Sequence, residues 1–587
     1  MNRRNFLKSS ATAITSVMLT GCIAGKKQNH PNVLLILSDD QGWGDVHSHD
    51  NPNIDTPVQD KLAADGVRFD RFYVSPVCAP TRASLLTGRY HLRTGTIWVT
   101  HNKETMRSEE VTIAEILKNN GYATGCFGKW HNGGYYPHDP NGQGFDEFYG
   151  FCAGHWNNYF DTHLQHNHEK VTSSGFITDV LTDQAIQFIS KNRRGPFFCY
   201  IPYNVPHSPF QVPEADFKKY KERGFNDANA CVYGMVENMD RNIGRLLNLL
   251  DDLALTDNTI VIFMTDNGPN TDRYNGDMRG RKGSVHEGGG RVPLFIKWPA
   301  KINGGKTVEK IAAHIDILPT ILEFCNIPIP QNLELDGTSL VPLMGDEVEN
   351  WPDRILFTHN SLQGELLPAP GAARSQTHRL IVNDDNYELY DMINDPSETH
   401  NIFNDQPAVA RNLVIAYETW FKDVTRDINN RPEAIPVGYD EAKSVKLLAP
   451  DAHLVDLEFQ GRMGWANDWI TGWKSIKGQA SWPVQVVNDG DYEITLFYAC
   501  PEGQTGSVIE VSAGDANVRN TVSHAHDPEP LPSPDRVKRG EVYEKVWGEL
   551  VMGTLHLSKG MNELVVKAVS IPGEQAMQLK AVEMRKI

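Results

Sequence analysis

The most informative stretch of this 587-residue chain is Cys78-Ala79-Pro80-Thr81-Arg82-Ala83-Ser84-Leu85-Leu86-Thr87-Gly88-Arg89. Pro80 suits the first turn of an α-helix, where the missing N–H of proline has no partner to lose. The leucine pair supplies an apolar face. The pattern therefore predicts a helix with Cys78 at its N-terminus, where free N–H groups and the helix dipole favour an anion. The alternative is a buried cysteine that precedes an ordinary helix.

Polar side chains follow two predicted buried strands. The apolar run 31–37 leads into Asp39 and Asp40, and the run 259–264 leads into Asp266 and Asn267. Continuous apolar runs are typical of parallel strands, and open α/β sheets bind ligands at the carboxyl ends of such strands. These oxygen donors suit Ca²⁺ or Mg²⁺ and not zinc. Taken alone, a pair such as Asp39-Asp40 is more often a solvated turn.

Basic side chains follow other strand patterns. Lys129 and His131 lie two residues apart on an extended segment, so we expect them to point the same way. His207 stands between two prolines after another apolar run, and Lys282 lies in the glycine-rich segment 278–293. These residues supply cations and proton carriers that an anionic substrate would need.

Together these segments resemble the formylglycine-dependent sulfatases of the alkaline-phosphatase-like superfamily. The resemblance covers about residues 30–430, and the segments occur in the order expected for the family. The chain departs from the family pattern at Thr81, where many members carry serine but the hydroxyl is kept. It also departs at Asn132, where leucine is frequent, and at Gly290, where a larger residue is common.

The resemblance implies a modified nucleophile and a metal site. A formylglycine-generating or sulfatase-maturing enzyme would oxidise Cys78 to Cα-formylglycine (3-oxoalanine), whose hydrate attacks sulfur. The implied metal ligands are this modified residue together with Asp39, Asp40, Asp266 and Asn267. The family's ion is usually calcium, with magnesium as the alternative.

The resemblance also implies roles for five further side chains. Arg82 would stabilise the hydrate, and Lys129 would bridge it to the sulfate. His207 and Lys282 would contact the sulfate, and one of them would protonate the leaving oxygen. His131 would then remove a proton from sulfated residue 78, so that sulfate leaves and the aldehyde reforms.

The expected fold class is α/β, with a mixed, mainly parallel alkaline-phosphatase-like sheet sandwiched by helices. The catalytic domain is predicted at 30–370, a small C-terminal α+β subdomain at 371–430 and a linker at 431–450. Beyond the linker, short strand patterns without helix signals predict a separate all-β sandwich at 451–587. This module resembles jelly-roll carbohydrate-binding domains.

Residues 1–22 are predicted to be an export signal. The Arg3-Arg4 segment resembles a twin-arginine motif, and the apolar stretch after it is too short to span a membrane. The segment that ends at Cys22 resembles a bacterial lipobox, in which this cysteine is lipidated. The alternative is a plain secretion signal. We therefore expect an exported protein in the periplasm or at the cell surface, attached to the membrane through a lipid anchor only.

The chain is strongly acidic, with a formal net charge of −18. Such a charge disfavours nucleic acid as a partner, so local cations and a metal must hold any anionic substrate. The eight cysteines form no CxxC pair, which indicates neither a zinc ribbon nor a disulfide scaffold. Cys126, Cys199 and Cys325 are expected in the core.

Two aromatic-rich segments have a structural and a functional interpretation. The histidine spacing in segment 155–168 matches no familiar zinc site. We favour a loop that covers the active-site mouth and contributes to substrate choice, and the alternative is a variable surface loop. At the start of the predicted sandwich, four tryptophans offer either core packing or a sugar-stacking platform. These tryptophans are Trp465, Trp469, Trp473 and Trp482.

The favoured function is a sulfuric ester hydrolase that acts on a sulfated glycan, either a polysaccharide or an oligosaccharide derived from it. One alternative is a phosphate or phosphonate ester hydrolase of the same superfamily. Another is a non-catalytic glycan-binding lipoprotein whose active site has decayed.

Overall fold

The computed structural model describes residues 30–345, 351–384, 386–428 and 432–587. The predicted export signal and Cys22 lie outside these ranges. None of the helices within them combines the length and the apolar character that crossing a membrane requires.

An eleven-stranded mixed sheet forms the centre of the N-terminal part. Its strands are β1 (Asn32–Ser38), β2 (Val67–Tyr73), β3 (Ala123–Lys129), β4 (Glu147–Phe151), β5 (His163–His166), β6 (Glu169–Thr172), β7 (Phe197–Pro202), β8 (Thr259–Thr265), β9 (Arg291–Lys297), β10 (Lys306–Val308) and β11 (Ala312–Ala313). Their order is β10-β2-β9-β8-β1-β7-β3-β4-β5-β6, with β11 beside β2. The central strands β8, β1, β7, β3 and β4 pair in parallel, so their carboxyl ends meet at one edge.

Helices cover both faces of this sheet. The α-helices within the described residues are α1 (Pro57–Asp65), α2 (Cys78–Thr87), α3 (Ile113–Asn119), α4 (Ile177–Asn192), α5 (Glu214–Glu222), α6 (Asp227–Asp252), α7 (Glu287–Gly290), α8 (Ile317–Phe324), α9 (Val341–Met344) and α10 (Pro407–Val424). Successive side chains of a strand point to opposite faces. Accordingly, Val33 and Leu35 pack in one core with α2 and α3, whereas Leu34 and Ile36 pack in another with α4 and α6. The predicted helix-covered sheet is confirmed.

A smaller antiparallel sheet follows. Its strands are β12 (Leu356–His359), β13 (Gly371–Arg374), β14 (His378–Asn383) and β15 (Asn386–Asp391). Helix α10 covers it through Leu413 and Tyr417, which share a core with Leu380. This sheet begins at Leu356, so it starts before the boundary at 371 that the sequence predicts.

The C-terminal part is a sandwich of two six-stranded sheets around one core. Its strands are β16 (Ile435–Val437), β17 (Ser444–Leu448), β18 (His453–Val455), β19 (Glu458–Phe459), β20 (Ile470–Thr471), β21 (Gln479–Val486), β22 (Gly490–Ala499), β23 (Val508–Ala513), β24 (Ala516–Thr521), β25 (Gly548–Leu557), β26 (Gly560–Ser570) and β27 (Gln578–Lys586). One sheet has the order β16-β21-β26-β23-β24, with β18 beside β21. The other has the order β19-β20-β27-β22-β25, with β17 beside β27.

The predicted linker at 431–450 is wrong where it overlaps the sandwich. Strand β16 pairs with β21, and β17 pairs with β27. Val445 and Leu447 alternate with exposed residues and are buried in the sandwich core. These short strands depend on partners far along the chain, which a local pattern does not reveal.

The tryptophans of the sandwich serve mainly as packing residues. Trp473 and Trp482 are fully buried, and Trp469 is nearly so. A buried indole face has no room to stack on a sugar, so the sugar-stacking interpretation is wrong for these three residues. Trp465 is half-buried.

Candidate active site

Four oxygen-bearing side chains meet at the carboxyl ends of β1 and β8. Ser38 pairs with Thr265, so the residues that follow each strand leave the sheet side by side. The Asp40 N–H donates to Asp266 Oδ1 at 3.1 Å, and Asn267 Nδ2 donates to Asp40 Oδ1 at 2.7 Å. Asp39 completes the group, and all four side chains are buried.

Arg273 and Asp45 hold the turn that follows β1. Arg273 donates through Nη2 to the carbonyl oxygen of Asp40 at 2.8 Å, and its Nε lies 2.8 and 2.9 Å from the two oxygens of Asp45. The Gly42 N–H also donates to Asp45 Oδ2 at 2.7 Å. Neither Arg273 nor Asp45 was predicted as a site residue, because their contact joins residues 228 positions apart.

Helix α2 begins at Cys78, as predicted, and carries this residue into the same cluster. Val77 before it is extended, and the Thr81 hydroxyl donates to the Ser75 carbonyl at 3.1 Å, which fixes the entry turn. The Sγ of Cys78 marks where a modified residue 78 would present its oxygen. A carboxylate oxygen of Asp39, one of Asp266 and this sulfur all lie within 4.8 Å of one another.

Burial raises the pKa of the Cys78 thiol. Reactive thiols have a lowered pKa and partial exposure, whereas this side chain is almost fully buried and mainly protonated at neutral pH. The arrangement therefore does not favour a thiolate nucleophile at this position.

Two buried cations bind the carboxylates on the inner side. Arg82 donates to Asp266 Oδ2 from Nε at 3.1 Å and from Nη2 at 2.8 Å. Its Nη1 donates to the carbonyl oxygen of Lys129 at 2.6 Å, which ties α2 to the end of β3. The Lys129 ammonium lies 2.6 Å from Asp39 Oδ2.

Lys282 and His207 approach from the outer side. Lys282 Nζ is 2.6 Å from Asp40 Oδ1, and His207 Nε2 is 3.7 Å from Asp40 Oδ2. Although burial opposes it, the charge of Asp40 raises the pKa of Lys282, so this side chain stays protonated. Burial and the charge of Lys282 lower the pKa of His207.

His131 is arranged as a neutral base. It adopts a left-handed backbone conformation with φ of 60°, and its Nε2 lies 2.9 Å from the carbonyl oxygen of Val99. Since a carbonyl only accepts, Nε2 carries the hydrogen and Nδ1 is the basic atom. Within the described residues Nδ1 has no hydrogen-bond partner. Burial and the charge of Lys129 lower the pKa of His131 well below its ordinary value.

The donor set fits a hard divalent cation. Asp39 Oδ1 and Asn267 Oδ1 are buried and make no hydrogen bond to any residue that the structure describes. Although burial opposes it, the charges of Lys129, His207 and Arg82 hold the pKa of Asp39 far below its ordinary value. Although burial opposes this too, Lys282 and His207 lower the pKa of Asp40, whereas burial and the charge of Asp39 raise the pKa of Asp266 to about 7. Two unpaired oxygens beside the ionised carboxylates of Asp39 and Asp40 are what calcium or magnesium would bind.

The structure brings every predicted site residue together except Cys22, which lies outside the described ranges.

The two ends of the histidine-rich segment 155–168 lie in different places. His155 is buried with its ring 6.1 Å from that of His207, so this end of the segment lies at the active-site mouth. In contrast, His163 and His166 belong to the hairpin β5–β6 at the edge of the sheet, where they are exposed.

The family model described as "Sulfatase" matches residues 31–327, just over half of the chain. The chain belongs to the sulfatase family. A second model, "N-sulphoglucosamine sulphohydrolase, C-terminal", matches residues 281–417 of this sulfatase. The sulfatase is therefore a sulfuric ester hydrolase, and its family generally uses formylglycine and a divalent metal.

Individual relatives agree with the assignment. The sulfatase is 32% identical to N-acetylgalactosamine-6-sulfatase of Canis lupus familiaris over 59% of its own chain and 71% of the relative. It is 30% identical to arylsulfatase A of Homo sapiens over 63% of its own chain and 83% of the relative. The crystal structure of Ps i-CgsB in complex with k-i-k-neocarrahexaose is similar with a TM-score of 0.63 and 31% identity, covering 69% of this chain and 95% of that one. This structural neighbour and the helix-covered mixed sheet agree with the alkaline-phosphatase-like fold that the sequence predicts.

Proposed function

We propose that this sulfatase removes sulfate from a sulfated glycan through formylglycine at residue 78 and a bound calcium ion. The observation that carries the proposal is the position of Cys78. It starts a buried helix, and its sulfur lies within 4.8 Å of oxygens of Asp39 and Asp266. The carbohydrate bound in the Ps i-CgsB structure supports a sugar substrate.

Charge in the site suits an anionic ester. Three buried or half-buried cations (Arg82, Lys129 and Lys282) balance three carboxylates. A divalent ion held by the Asp39, Asp40, Asp266 and Asn267 oxygens and by residue 78 would leave the site net positive. Such an ion supplies Lewis-acid charge to a sulfate oxygen and to the nucleophile. This local field would offset the net negative charge of the chain for an incoming anion.

The protein's own side chains divide the remaining work. Formylglycine supplies, as its hydrate, an oxygen nucleophile. Arg82 and Lys129 lie on the inner side, where they would orient that oxygen. Lys282 and His207 lie on the outer side, where both would hold the sulfate and either could protonate the leaving oxygen. His131, whose Nδ1 has no hydrogen-bond partner among the residues that the structure describes, would take the proton that restores the aldehyde.

The wider setting extends the proposal. A maturation enzyme would oxidise Cys78, and the predicted signal with Cys22 would place the protein in the periplasm or at the cell surface as a lipoprotein. We propose a catalytic domain with its small C-terminal subdomain, followed by a β-sandwich. Because three sandwich tryptophans are buried, any contact between the sandwich and glycan would use other residues.

Sulfate release from a panel of sulfated polysaccharides and oligosaccharides tests the proposal. We expect release by the wild type, none by Cys78→Ala, and normal release by Cys126→Ala, a control that changes another buried cysteine. Unfolding of Cys78→Ala would support the buried-cysteine interpretation instead. Glycan binding by the wild type without release would indicate a non-catalytic protein, and release of phosphate from matched aryl esters would indicate the related phosphate chemistry.

A further inference from the structure

A segment of the β-sandwich reaches the active-site mouth. The connection between β24 and β25 leaves the sandwich, and its residues 533–544, here called the arm, lie on the catalytic domain. Arg539 is its main anchor. This side chain is buried, and its Nη1 donates to the carbonyl and side-chain oxygens of Asn157 at 2.8 Å each. Its Nε donates to Asp535 Oδ2 at 2.6 Å.

Further contacts fix the arm on a second segment of the catalytic domain. Gln211 donates through Nε2 to Ser533 Oγ at 3.0 Å and to Asp535 Oδ1 at 2.7 Å. Arg536 pairs with Glu214 at 2.6 Å. The two anchored segments are those that carry His155 and His207, so the arm lies beside the proposed sulfate site.

One carboxylate of the arm points toward these histidines. Glu541 Oε1 accepts a hydrogen bond from Ser208 Oγ at 3.1 Å and lies 3.7 Å from His155 Nδ1. The Glu541 side chain is 18% exposed, so it still faces solvent. Its neighbour Ser208 directly follows His207.

His155 is the unsatisfied member of this group. It is only 6% exposed, yet neither ring nitrogen makes a hydrogen bond to any residue in the described ranges. The residue before it, Gly154, packs so closely on the ring of His131 that a β-carbon would not fit. Burial lowers the pKa of His155 to about 3, so the ring is neutral and can both donate and accept. Buried polar atoms normally have partners, and a bound ligand would supply them.

We propose that Glu541 and His155 form a subsite for hydroxyl groups of the sugar ring that carries the scissile sulfate, and this rests on the proposed function. Docking of the arm does not need them, because Arg539, Asp535 and Gln211 already join the two parts. A carboxylate accepts hydrogen bonds from hydroxyls but repels a second sulfate. The subsite therefore selects rings whose neighbouring positions carry free hydroxyls.

Paired substrates test the subsite. Sulfate release is measured from an aryl sulfate without sugar, from a disaccharide with one sulfate, and from the same disaccharide with a second sulfate on that ring. For Glu541→Ala, we expect kcat/KM for the monosulfated sugar to fall about tenfold further than for the aryl sulfate, mainly through KM. Glu541→Gln should lower the ratio of kcat/KM for the monosulfated sugar to kcat/KM for the disulfated sugar by a similar factor. Arg539→Ala, which releases the arm, should reproduce the Glu541→Ala profile.

Glu563→Gln, an exposed carboxylate on β26, is the matched control and should leave all three rates unchanged. The subsite would be overturned if Glu541→Ala lowered kcat/KM equally for the sugar and aryl sulfates. It would also be overturned if Glu541→Gln left the ratio of kcat/KM for the monosulfated and disulfated sugars unchanged. The subsite would also be overturned if the wild type hydrolysed the aryl sulfate but neither of the sulfated disaccharides. A wild type that hydrolyses no sulfate ester at all would instead overturn the proposed function.

Discussion

Replacing Arg82 by methionine tests the buried charge balance. The guanidinium is fully buried and makes two hydrogen bonds to Asp266 Oδ2 and one to the Lys129 carbonyl. Methionine keeps much of the volume but leaves a buried carboxylate without its partner. Breaking a buried ion pair from one side costs about 3–5 kcal/mol. We expect the free energy of unfolding of the catalytic domain to fall by about that amount.

The chain contains a matched control at its surface. Arg241 Nη2 lies 2.8 Å from both oxygens of Asp216, which is as close as the Arg82 contact, but the Arg241 side chain is 49% exposed. Exposed pairs contribute about 1 kcal/mol or less. Arg241→Met should therefore lower the free energy of unfolding much less than Arg82→Met does, although the two ion pairs have similar geometry.

Urea unfolding followed by tryptophan fluorescence measures both variants in the same buffer with chelator present. The first transition is used, because a multidomain chain need not unfold in one step. Adding Asp266→Asn to Arg82→Met should cost less than the sum of the single changes, since the two side chains interact directly. An Arg82→Met cost no greater than that of Arg241→Met would refute the reasoning.

Two further predictions concern the metal and the domain interface. Chelation should reduce sulfate release, and calcium should restore it; full activity of metal-free protein would remove the metal assignment. Burial and the charge of Asp451 raise the pKa of Glu104 to about 8. The folded state thus keeps a proton that the unfolded state releases, so stability falls as pH rises from the ordinary glutamate value toward 8. Above pH 8, Glu104→Gln should stabilise the protein by up to about 5 kcal/mol, and it should flatten this slope. Thermal unfolding should show little effect near pH 5, and an equal shift at both pH values would contradict the assignment.

Much of the site could be predicted from sequence because its determinants are local. An apolar run followed by acidic residues predicted strand 31–37, and the structure has Asn32–Ser38 followed by Asp39 and Asp40. Likewise, Cys78 and Pro80 predicted the start of α2. Since parallel strands expose their carboxyl ends at one edge, local patterns were enough to bring distant residues together.

Other features depend on contacts that no local pattern contains. Strands β16 and β17 are short and are held by partners in the sandwich, so their segment was predicted as a linker. The arm was missed because Gln211 meets Asp535 across 324 positions, and nothing near Glu541 marks it as a neighbour of His155. Such tertiary contacts become visible only when both domains are folded.

The central claim is that residue 78 of the active sulfatase is formylglycine. Trypsin would release it in the peptide 72–82, bounded by Arg71 and Arg82. Mass spectrometry of this peptide, from a preparation that releases sulfate, is the most direct test. We predict the mass of an aldehyde, together with capture by a hydrazide reagent. An unmodified thiol throughout a fully active preparation would contradict the claim.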